Sequence, residues 1–312
     1  MSLTMLQRIA DGPFEGCVSR NDIAARIAAI DLGDQPSDMR TGFARLLRGD
    51  AAGTPPAVGR ALNMGGVDGL WIPPPVAATN RLVSDRAPVV VWLHGGGYVF
   101  GSPQTHWRLG AAIAAMASVA VFLPRYRLAP EHPWPAQLDD AKAVVRALQG
   151  VGQRVLLAGD SAGGHLALTT ALALAREGHA IDALLLCSPN TDRSGLNKTR
   201  RANSARDAMN DDEQDTALAR LAFGEMSVRH PEVSPLLDDL SLLPPTHIEV
   251  GEHEVLQDDG LLLERRGQAA GARIDCHVER GVLHMWQLWT PWFAPANTSI
   301  ARLATFVRSQ LR

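Results

Sequence analysis

Lysine and cysteine are both scarce in this chain of 312 residues. Its only lysines are Lys142 and Lys198, and neither has a serine three residues before it, which excludes the S-x-x-K class of serine hydrolases. The three cysteines (Cys17, Cys187 and Cys276) have no C-x-x-C spacing, and the last two lie in apolar runs, where a thiol packs as a small hydrophobic group. This usage is typical of a reducing compartment, so the sequence predicts a cytoplasmic protein.

A strong excess of one charge and a long apolar run are also missing. The formal net charge is −3, which lacks the basic footprint of a nucleic-acid-binding protein. The longest nearly continuous apolar run, residues 110–123, is too short to cross a bilayer, and Arg8 and Asp11 interrupt any signal-peptide core. We therefore expect a soluble, unexported protein with no nucleic-acid partner and no membrane span.

A motif in the middle of the chain, RVLLAGDSAGG, places one serine between two regular elements. Residues 155–158 form an apolar run typical of a buried parallel strand, and residues 166–176 are rich in Ala and Leu, which favours a helix. The chain must turn sharply at Ser161, and Gly159 and Gly163 allow close backbone approach there. This pattern is the G-x-S-x-G nucleophile elbow, although a glycine-rich turn without chemistry has the same pattern.

Three consecutive glycines follow another predicted buried strand, residues 88–93, directly after His94. Glycines let backbone N–H groups point into a cavity, which is what an oxyanion hole needs. Cofactor patterns fail here, because Phe100 stands where the last glycine of G-x-G-x-x-G belongs and no Gly-Lys pair follows for a phosphate loop. We therefore predict no cofactor, and we expect His94 to orient the loop by hydrogen bonding rather than to act as a base.

The sequence pattern changes twice outside these motifs. Residues 1–50 carry apolar and charged residues at helical spacing before any strand signal, so this stretch is a candidate helical cap. The pattern then changes to strands, first at residues 58–63 and 67–72, and residues 51–312 are predicted to form the core domain. Residues 193–231 are polar and interrupt the strand rhythm, as lid insertions do.

Three long motifs, HGGG, YRLAPEHPWPA and GDSAGG, occur in this order along the chain. In this combination the chain resembles the hormone-sensitive-lipase-like branch of the α/β-hydrolases, the bacterial family IV carboxylesterases, from about residue 58 to its end. The resemblance implies an α/β-hydrolase fold, with a mostly parallel central sheet flanked by helices and a cap built from the N-terminal segment and the later insertion. Glu131 and His132 are expected to form a buried polar cluster that braces the loop near the site, rather than to belong to a catalytic triad.

The acid of a Ser–acid–His triad is expected after a later strand, here residues 246–250. The family usually has Asp-Pro-Leu at this point, and the matching residues here are EVL, so the resemblance assigns the role to Glu254. Asp258 stays open as the alternative, although it is expected to begin the next helix, whereas Asp192 follows the wrong strand. A zinc site of the form H-E-x-x-H fails because Gln257 takes the last position, so no metal is predicted.

The last predicted strand, residues 273–279, leads to a glycine-led loop that contains His284, where this fold places its general base. The resemblance further assigns the oxyanion hole to the N–H groups of Gly96, Gly97 and Ala162. Three tryptophans follow closely, and they either line an apolar pocket or pack a C-terminal helix: Trp286, Trp289 and Trp292.

Together these residues predict a serine carboxylesterase for small, moderately apolar esters. Ser161, deprotonated by His284, would attack the ester carbonyl, and water would then hydrolyse the acyl-enzyme. A lactone hydrolase with the same triad, and a non-catalytic binding protein like the family-related plant hormone receptor, are the alternatives. The expected partner is a small-molecule ester, and a homodimer stays open. Serine at the elbow excludes the epoxide and haloalkane hydrolases of this fold, which carry aspartate there.

Overall fold

The computed structural model describes residues 13–48, 59–75 and 88–311. Parts of the expected cap, residues 1–12 and 49–50, lie outside these described residues, as does the start of the first expected strand at Val58.

The described residues form one eight-stranded sheet that is mostly parallel. Its strands are β1 (Arg60–Met64), β2 (Val67–Ile72), β3 (Val89–Leu93), β4 (Ala120–Pro124), β5 (Val155–Asp160), β6 (Ala183–Cys187), β7 (Thr246–Gly251) and β8 (Ile274–Glu279). Across the sheet their order is β1-β2-β4-β3-β5-β6-β7-β8. β2 runs antiparallel to both β1 and β4, and every other neighbouring pair is parallel. Consequently β3, β5, β7 and β8 all end at the same edge of the sheet.

The central strands are apolar along their whole length because both of their faces are covered. Every residue of β3, β4 and β6 is buried. The sequence predicted β3 within one residue of its observed ends, since an uninterrupted apolar run of this length is typical of a parallel strand inside an α/β sheet.

Helices connect the strands and pack on the sheet. They are α1 (Arg20–Ala29), α2 (Pro36–Arg48), α3 (Pro103–Ala117), α4 (Ala136–Gly150), α5 (Ala162–Arg176), α6 (Thr199–Asn203), α7 (Asp212–Phe223), α8 (Gln257–Ala269) and α9 (Ala294–Ser309), with short 3₁₀ helices at Pro235–Leu237, Leu240–Leu242 and Trp286–Trp289. Helix α3 packs against α9, and α4 packs against α5. In the part of the chain that the structure covers, no helix combines the length and the apolar character that a bilayer crossing requires.

Helix starts follow local capping chemistry. Ser102 accepts a hydrogen bond from the Thr105 N–H at 3.2 Å, and a proline opens α3 directly after it. Asp211 accepts from the Gln214 N–H at 2.8 Å at the start of α7. Two groups of helices lie outside the alternating strand–helix pattern: α1 and α2 precede the sheet, and α6 and α7 fall between β6 and β7.

Candidate active site

Ser161 stands at the junction of β5 and α5 in a backbone conformation that side chains rarely adopt. Its φ is 53° and its ψ is −120°, and such conformations persist only where the surroundings hold them. Three backbone hydrogen bonds do so. The Ser161 N–H donates to the Cys187 carbonyl at 3.0 Å, and the Ser161 carbonyl accepts from the N–H groups of His165 at 3.0 Å and Asn190 at 3.2 Å.

The two glycines of the elbow are required by close backbone contact. A Cβ on Gly159 would overlap the backbone of Gly163, and a Cβ on Gly163 would overlap the carbonyl oxygen of Leu93. The G-x-S-x-G spacing in the sequence therefore has a steric cause at both positions.

The glycine loop after β3 presents N–H groups that have no acceptor in the described part of the chain. Gly96 and Gly97 have φ values of 119° and 59°. Among the described residues, no acceptor takes the N–H of Gly96, Gly97 or Ala162, whereas the Gly95 N–H donates to Asp160 Oδ2 at 3.1 Å. The three N–H groups assigned by family resemblance are thus free to bind a ligand oxygen.

Asp160 connects the elbow to the glycine loop, a role that sequence reasoning missed. Its buried carboxylate accepts from Trp92 Nε1 at 2.7 Å as well as from Gly95, and it lies 3.1 Å from His106 Nε2. Burial opposes ionisation, but His106 and the Trp92 hydrogen bond outweigh it, so the pKa of Asp160 lies below its usual value. The register of β3 and β5, in which Trp92 faces Ala158, brings these side chains together, and the sequence carries no sign of that register.

His94 lies inside the glycine loop as a neutral side chain. The His94 Nδ1 is 3.0 Å from the Gly95 carbonyl, and its ring stacks on Tyr126 with centroids 4.2 Å apart. The Tyr126 hydroxyl donates to the His94 carbonyl at 2.5 Å. Burial lowers the pKa of His94 to about 3. It therefore orients the loop, as the sequence indicated.

Glu254 and His284 form a buried pair beyond the ends of β7 and β8. Glu254 Oε2 lies 2.9 Å from His284 Nδ1, and the two side chains are 1% and 2% exposed. The other carboxylate oxygen, Oε1, accepts from Ser188 Oγ at 2.9 Å and from the Gly251 N–H at 2.7 Å. Burial favours a neutral imidazole, but the hydrogen bond and charge of Glu254 outweigh it, so the pKa of His284 lies above the usual value for histidine.

Neither of the other two carboxylates considered from sequence pairs with His284. Asp258 lies in the first turn of α8, where it accepts from the N–H groups of Lys198 at 2.9 Å and Thr199 at 3.2 Å. Asp192 accepts from the N–H of Ser194 at 2.9 Å. The geometry thus brings Glu254, rather than Asp258, to the histidine.

The loop after β8 reaches the glycine loop and the elbow. A Cβ on Gly95 would lie 2.8 Å from Sδ of Met285, the residue after His284, and 2.9 Å from the carbonyl oxygen of Asp160, the residue before Ser161. The loops that follow β3, β5 and β8 therefore meet within van der Waals distance.

Helix α7 covers the glycine loop from the insertion. A Cβ on Gly97 would lie 3.0 Å from Leu218 Cβ. At the end of the same helix, the Phe223 ring packs edge-on against Tyr98 at 5.6 Å and contacts Trp134 at 5.3 Å. Apolar contacts thus fix α7 over the loop that carries the free N–H groups.

The expected buried cluster at Glu131 and His132 is wrong, because both residues are exposed. Glu131 instead forms an ion pair with Arg40 of α2 at 2.6 Å. Arg40 also donates to the carbonyls of Val99 at 2.8 Å and Ala129 at 3.0 Å. Glu131 lies at the surface because its positively charged partner, Arg40, belongs to the N-terminal helices.

The tryptophans after His284 are packed into the protein. Trp286 and Trp289 are fully buried in the last 3₁₀ helix, which packs against α3 and α9. Trp292 lies under the Arg108 guanidinium, with Cζ 5.2 Å from the ring centroid. Of the two roles left open by the sequence, packing of the C-terminal helix fits these positions.

The described residues contain no group of three or more His, Cys, Asp or Glu side chains that could hold a metal ion.

Comparisons with known proteins show what the chain is similar to. A family profile described as alpha/beta hydrolase fold matches residues 90–288. An acetyl-hydrolase from Streptomyces hygroscopicus is 35% identical over 224 residues, covering 70% of this chain and 75% of the relative. An esterase from Acinetobacter venetianus is 31% identical over 255 residues, covering 80% and 82%. Among solved structures, an esterase from the bacterial hormone-sensitive lipase family has a TM-score of 0.84 and 31% identity, with 100% of both chains covered.

Proposed function

Because the chain is a carboxylic ester hydrolase that belongs to the hormone-sensitive-lipase-like branch of the α/β-hydrolase family, we propose that Ser161, Glu254 and His284 are its catalytic triad. The single observation that carries the proposal is the buried hydrogen bond between Glu254 and His284 at 2.9 Å, on loops beyond the same sheet edge as the serine. Among the described residues, no hydrogen bond engages Ser161 Oγ or His284 Nε2, so both reacting atoms stay available.

In the proposed mechanism, His284 Nε2 takes the proton from Ser161 Oγ as the serine attacks the ester carbonyl. Glu254 accepts the Nδ1–H, which fixes the tautomer with a free lone pair on Nε2 and stabilises the imidazolium once it forms. The imidazolium then protonates the leaving alcohol. In the second half, His284 activates a water that releases the acid from the acyl-enzyme and restores the serine.

The oxyanion that forms on the attacked carbonyl would be bound by the N–H groups of Gly96, Gly97 and Ala162. These N–H groups have no acceptor within the described ranges of the chain, which supports this assignment. The hydrogen bond from Gly95 to Asp160 supports it as well, since it fixes the loop before any substrate arrives. Donors held in place in this way need no reorganisation when the charge develops.

We further propose that residues 1–50 and 193–231 act as a cap on a catalytic domain of residues 51–312, and that this cap limits the substrate to small, moderately apolar esters. Contacts of Leu218 with Gly97 and of Arg40 with Val99 support the assignment, because each joins one of these segments to the glycine loop. Acetyl to hexanoyl esters are expected to be better substrates than long-chain esters.

The test is Ser161→Ala, assayed on p-nitrophenyl esters of rising chain length with lactones beside them. Activity should fall to background while circular dichroism stays unchanged, since the hydroxyl forms no hydrogen bond with the described residues. Ser241→Ala, at an exposed serine that binds Asp239, is the matched control and should keep full activity. Retained activity in Ser161→Ala would contradict the elbow assignment, and faster lactone than ester hydrolysis would favour the alternative substrate class.

A cytoplasmic location is part of the proposal. All three cysteines are free thiols, as is usual in reducing compartments. Fractionation of the producing cells tests this point, and activity found mainly outside the cytoplasm would contradict it.

A further inference from the structure

A cavity of about 420 Å³ lies in the insertion after β6, with walls from α6, α7 and the loops beside them. Ser161, Glu254 and His284 are not among its lining residues. The cavity therefore has walls that do not include the proposed triad.

Four arginines line this cavity: Arg193, Arg200, Arg201 and Arg220. The side chains of Arg193 and Arg200 are only 7% and 9% exposed, and the Nε–H of each has no hydrogen-bond partner among the described residues. Arg201 and Arg220 are exposed, and neither forms an ion pair or a side-chain hydrogen bond with any described residue. A guanidinium has five N–H donors, so the group has donors to spare.

Three carboxylates line the same walls, and they do not saturate the arginines. Asp215 lies 2.6 Å from Arg200 and 3.5 Å from Arg193. Asp212 lies 3.8 Å from Arg200, and Glu225 forms no ion pair within the described residues. Asp259, which does not line the cavity, also lies 3.4 Å from Arg200. The two buried arginines therefore have carboxylate partners, whereas Arg201 and Arg220 have none among the described residues.

The rest of the wall is apolar. Phe223, Met226 and Val233 line it, and the Arg193 Cζ lies 5.7 Å from the Phe223 ring centroid. Guanidinium groups bind carboxylates through paired, charge-assisted hydrogen bonds, and apolar side chains favour a ligand with a hydrocarbon part. The wall thus combines the two kinds of contact that an aliphatic acid offers.

Asn190 links the cavity to the nucleophile. Its side-chain oxygen accepts from both Arg193 and Arg200, the latter at 2.6 Å, while its backbone N–H donates to the Ser161 carbonyl at 3.2 Å. Arg193 and Arg200 therefore lie two hydrogen bonds away from the backbone of Ser161, and a ligand bound to either would lie three away.

We propose that this cavity binds a small organic carboxylate with a short hydrocarbon chain, through Arg201 and Arg220 at its mouth and Arg193 and Arg200 in its wall. The acid released by ester hydrolysis has this chemistry, and that link rests on the proposed function. Binding itself does not require any reaction at Ser161.

Isothermal titration calorimetry of the full chain tests the proposal with three probes: butyrate, the uncharged butyramide and inorganic phosphate. Butyrate should bind at least about tenfold more tightly than butyramide, because hydrogen bonds to a charged group are the stronger ones. It should also bind more tightly than phosphate, which has no apolar part. Equal affinity for butyramide or for phosphate, or no binding of butyrate at millimolar concentration, would overturn the proposal.

The double variant Arg201→Gln/Arg220→Gln locates the binding. Its affinity for butyrate should fall by about tenfold or more, while its activity on p-nitrophenyl acetate stays near that of the unmodified protein. Arg229→Gln removes an exposed arginine of the same insertion that does not line the cavity, and it should bind butyrate normally. Unchanged affinity in the double variant would move butyrate to another site and overturn the inference. The Ser161→Ala result bears only on catalysis, so the two proposals fail separately.

Discussion

Two buried histidines each contact a buried carboxylate, and they differ in what their second ring nitrogen does. His284 Nδ1 lies 2.9 Å from Glu254, and no described residue hydrogen-bonds its Nε2. In His106 both nitrogens are engaged, with Nε2 3.1 Å from Asp160 and Nδ1 2.8 Å from Thr105 Oγ1. A neutral imidazole accepts a proton only through a free lone pair. Among the described residues, His284 therefore keeps one ring nitrogen without a partner, whereas both ring nitrogens of His106 have one.

The two carboxylates differ in the same way. Asp160 receives hydrogen bonds from Trp92 and Gly95 in addition to its contact with His106, so its charge is spread over a structural junction. Glu254 accepts the hydrogen bonds of Ser188 and Gly251 on Oε1 alone, which leaves Oε2 to bind His284. One carboxylate binds the glycine loop, and the other binds the histidine that we propose as the base.

Glu254→Gln should cause the largest loss of kcat among the variants of the two pairs, because it removes the charged partner of His284. The amide cannot stabilise the imidazolium and can favour the wrong tautomer, so kcat should fall about 10⁴-fold, as when a triad aspartate becomes an amide. Steady-state kinetics on p-nitrophenyl butyrate measures the loss. The kcat of Glu254→Asp should lie between those of the unmodified protein and Glu254→Gln, because aspartate keeps the negative charge but has a shorter side chain.

Asp258→Asn is the matched comparison for Glu254→Gln. Its carboxylate binds backbone N–H groups at the start of α6 and stands in the first turn of α8. The expected cost is confined to stability, about 0.3–1 kcal/mol for a carboxylate near a helix N-terminus. An inactive Asp258→Asn beside an active Glu254→Gln would show that the acid has been assigned to the wrong residue.

Asp160→Asn should act on the structural pair and have a smaller effect on rate. Loss of one oxyanion donor costs about 10²–10³ in kcat, and a loop that is displaced but intact should lose less, about 10-fold to 100-fold. Unfolding free energy should fall by about 1–3 kcal/mol, because buried donors lose their charged acceptor. Asp182→Asn, which removes a carboxylate bound to Arg154 and Val155, should lower stability without lowering kcat. If Asp160→Asn and Asp182→Asn lost the same fraction of kcat, the loss would not come from the contact between Asp160 and the glycine loop.

The pH profile sharpens the comparison further. His284 must be neutral to act as a base. The value of kcat/KM should therefore be at its full level above the pKa of His284 and should fall as the pH drops below that pKa. Because Glu254 raises that pKa, the acid limb should lie above the range of an ordinary histidine. In Glu254→Gln the residual activity should have its inflection at lower pH. An unmoved inflection would mean that another group controls the acid limb.

The smallest effect is expected at the cap. Arg40→Gln removes the ion pair with Glu131 and the hydrogen bond to Val99. Partly exposed ion pairs contribute about 0–1 kcal/mol, so stability should change little, while longer acyl esters should gain kcat/KM relative to acetyl esters. Arg45→Gln on the same helix, whose side chain forms no hydrogen bond or ion pair with the described residues, should leave the chain-length profile unchanged. If Arg45→Gln changed the dependence of kcat/KM on chain length as much as Arg40→Gln does, the change would not be caused by the loss of the Arg40 contacts.

Local features of this molecule could be predicted from its sequence because their causes are local. The apolar runs of β3 and β6 give strands buried on both faces, and the glycines flanking Ser161 answer steric demands within a few residues. The pairing of Glu254 with His284 agrees with the residue order expected for the fold, since successive parallel strands carry their loops to one sheet edge.

Features that depend on distant contacts could not be predicted in the same way. Glu131 is exposed because Arg40, 91 residues earlier, reaches it from α2. The role of Asp160 depends on the register between β3 and β5, which its own sequence neighbourhood does not reveal. The arginine-lined cavity arises only when α6 and α7 fold beside each other; in the sequence its residues form part of an ordinary polar insertion.

The way Glu254 folds back on its own turn has a consequence for sequence variation in such enzymes. Its Oε1 accepts the Gly251 N–H within the same four-residue turn, while Oε2 reaches His284. An aspartate at this position would be one methylene too short to keep both contacts on the present backbone. The choice of acid and the backbone geometry of residues 251–254 should therefore change together. Related chains with aspartate at this position are expected to have a different turn as well.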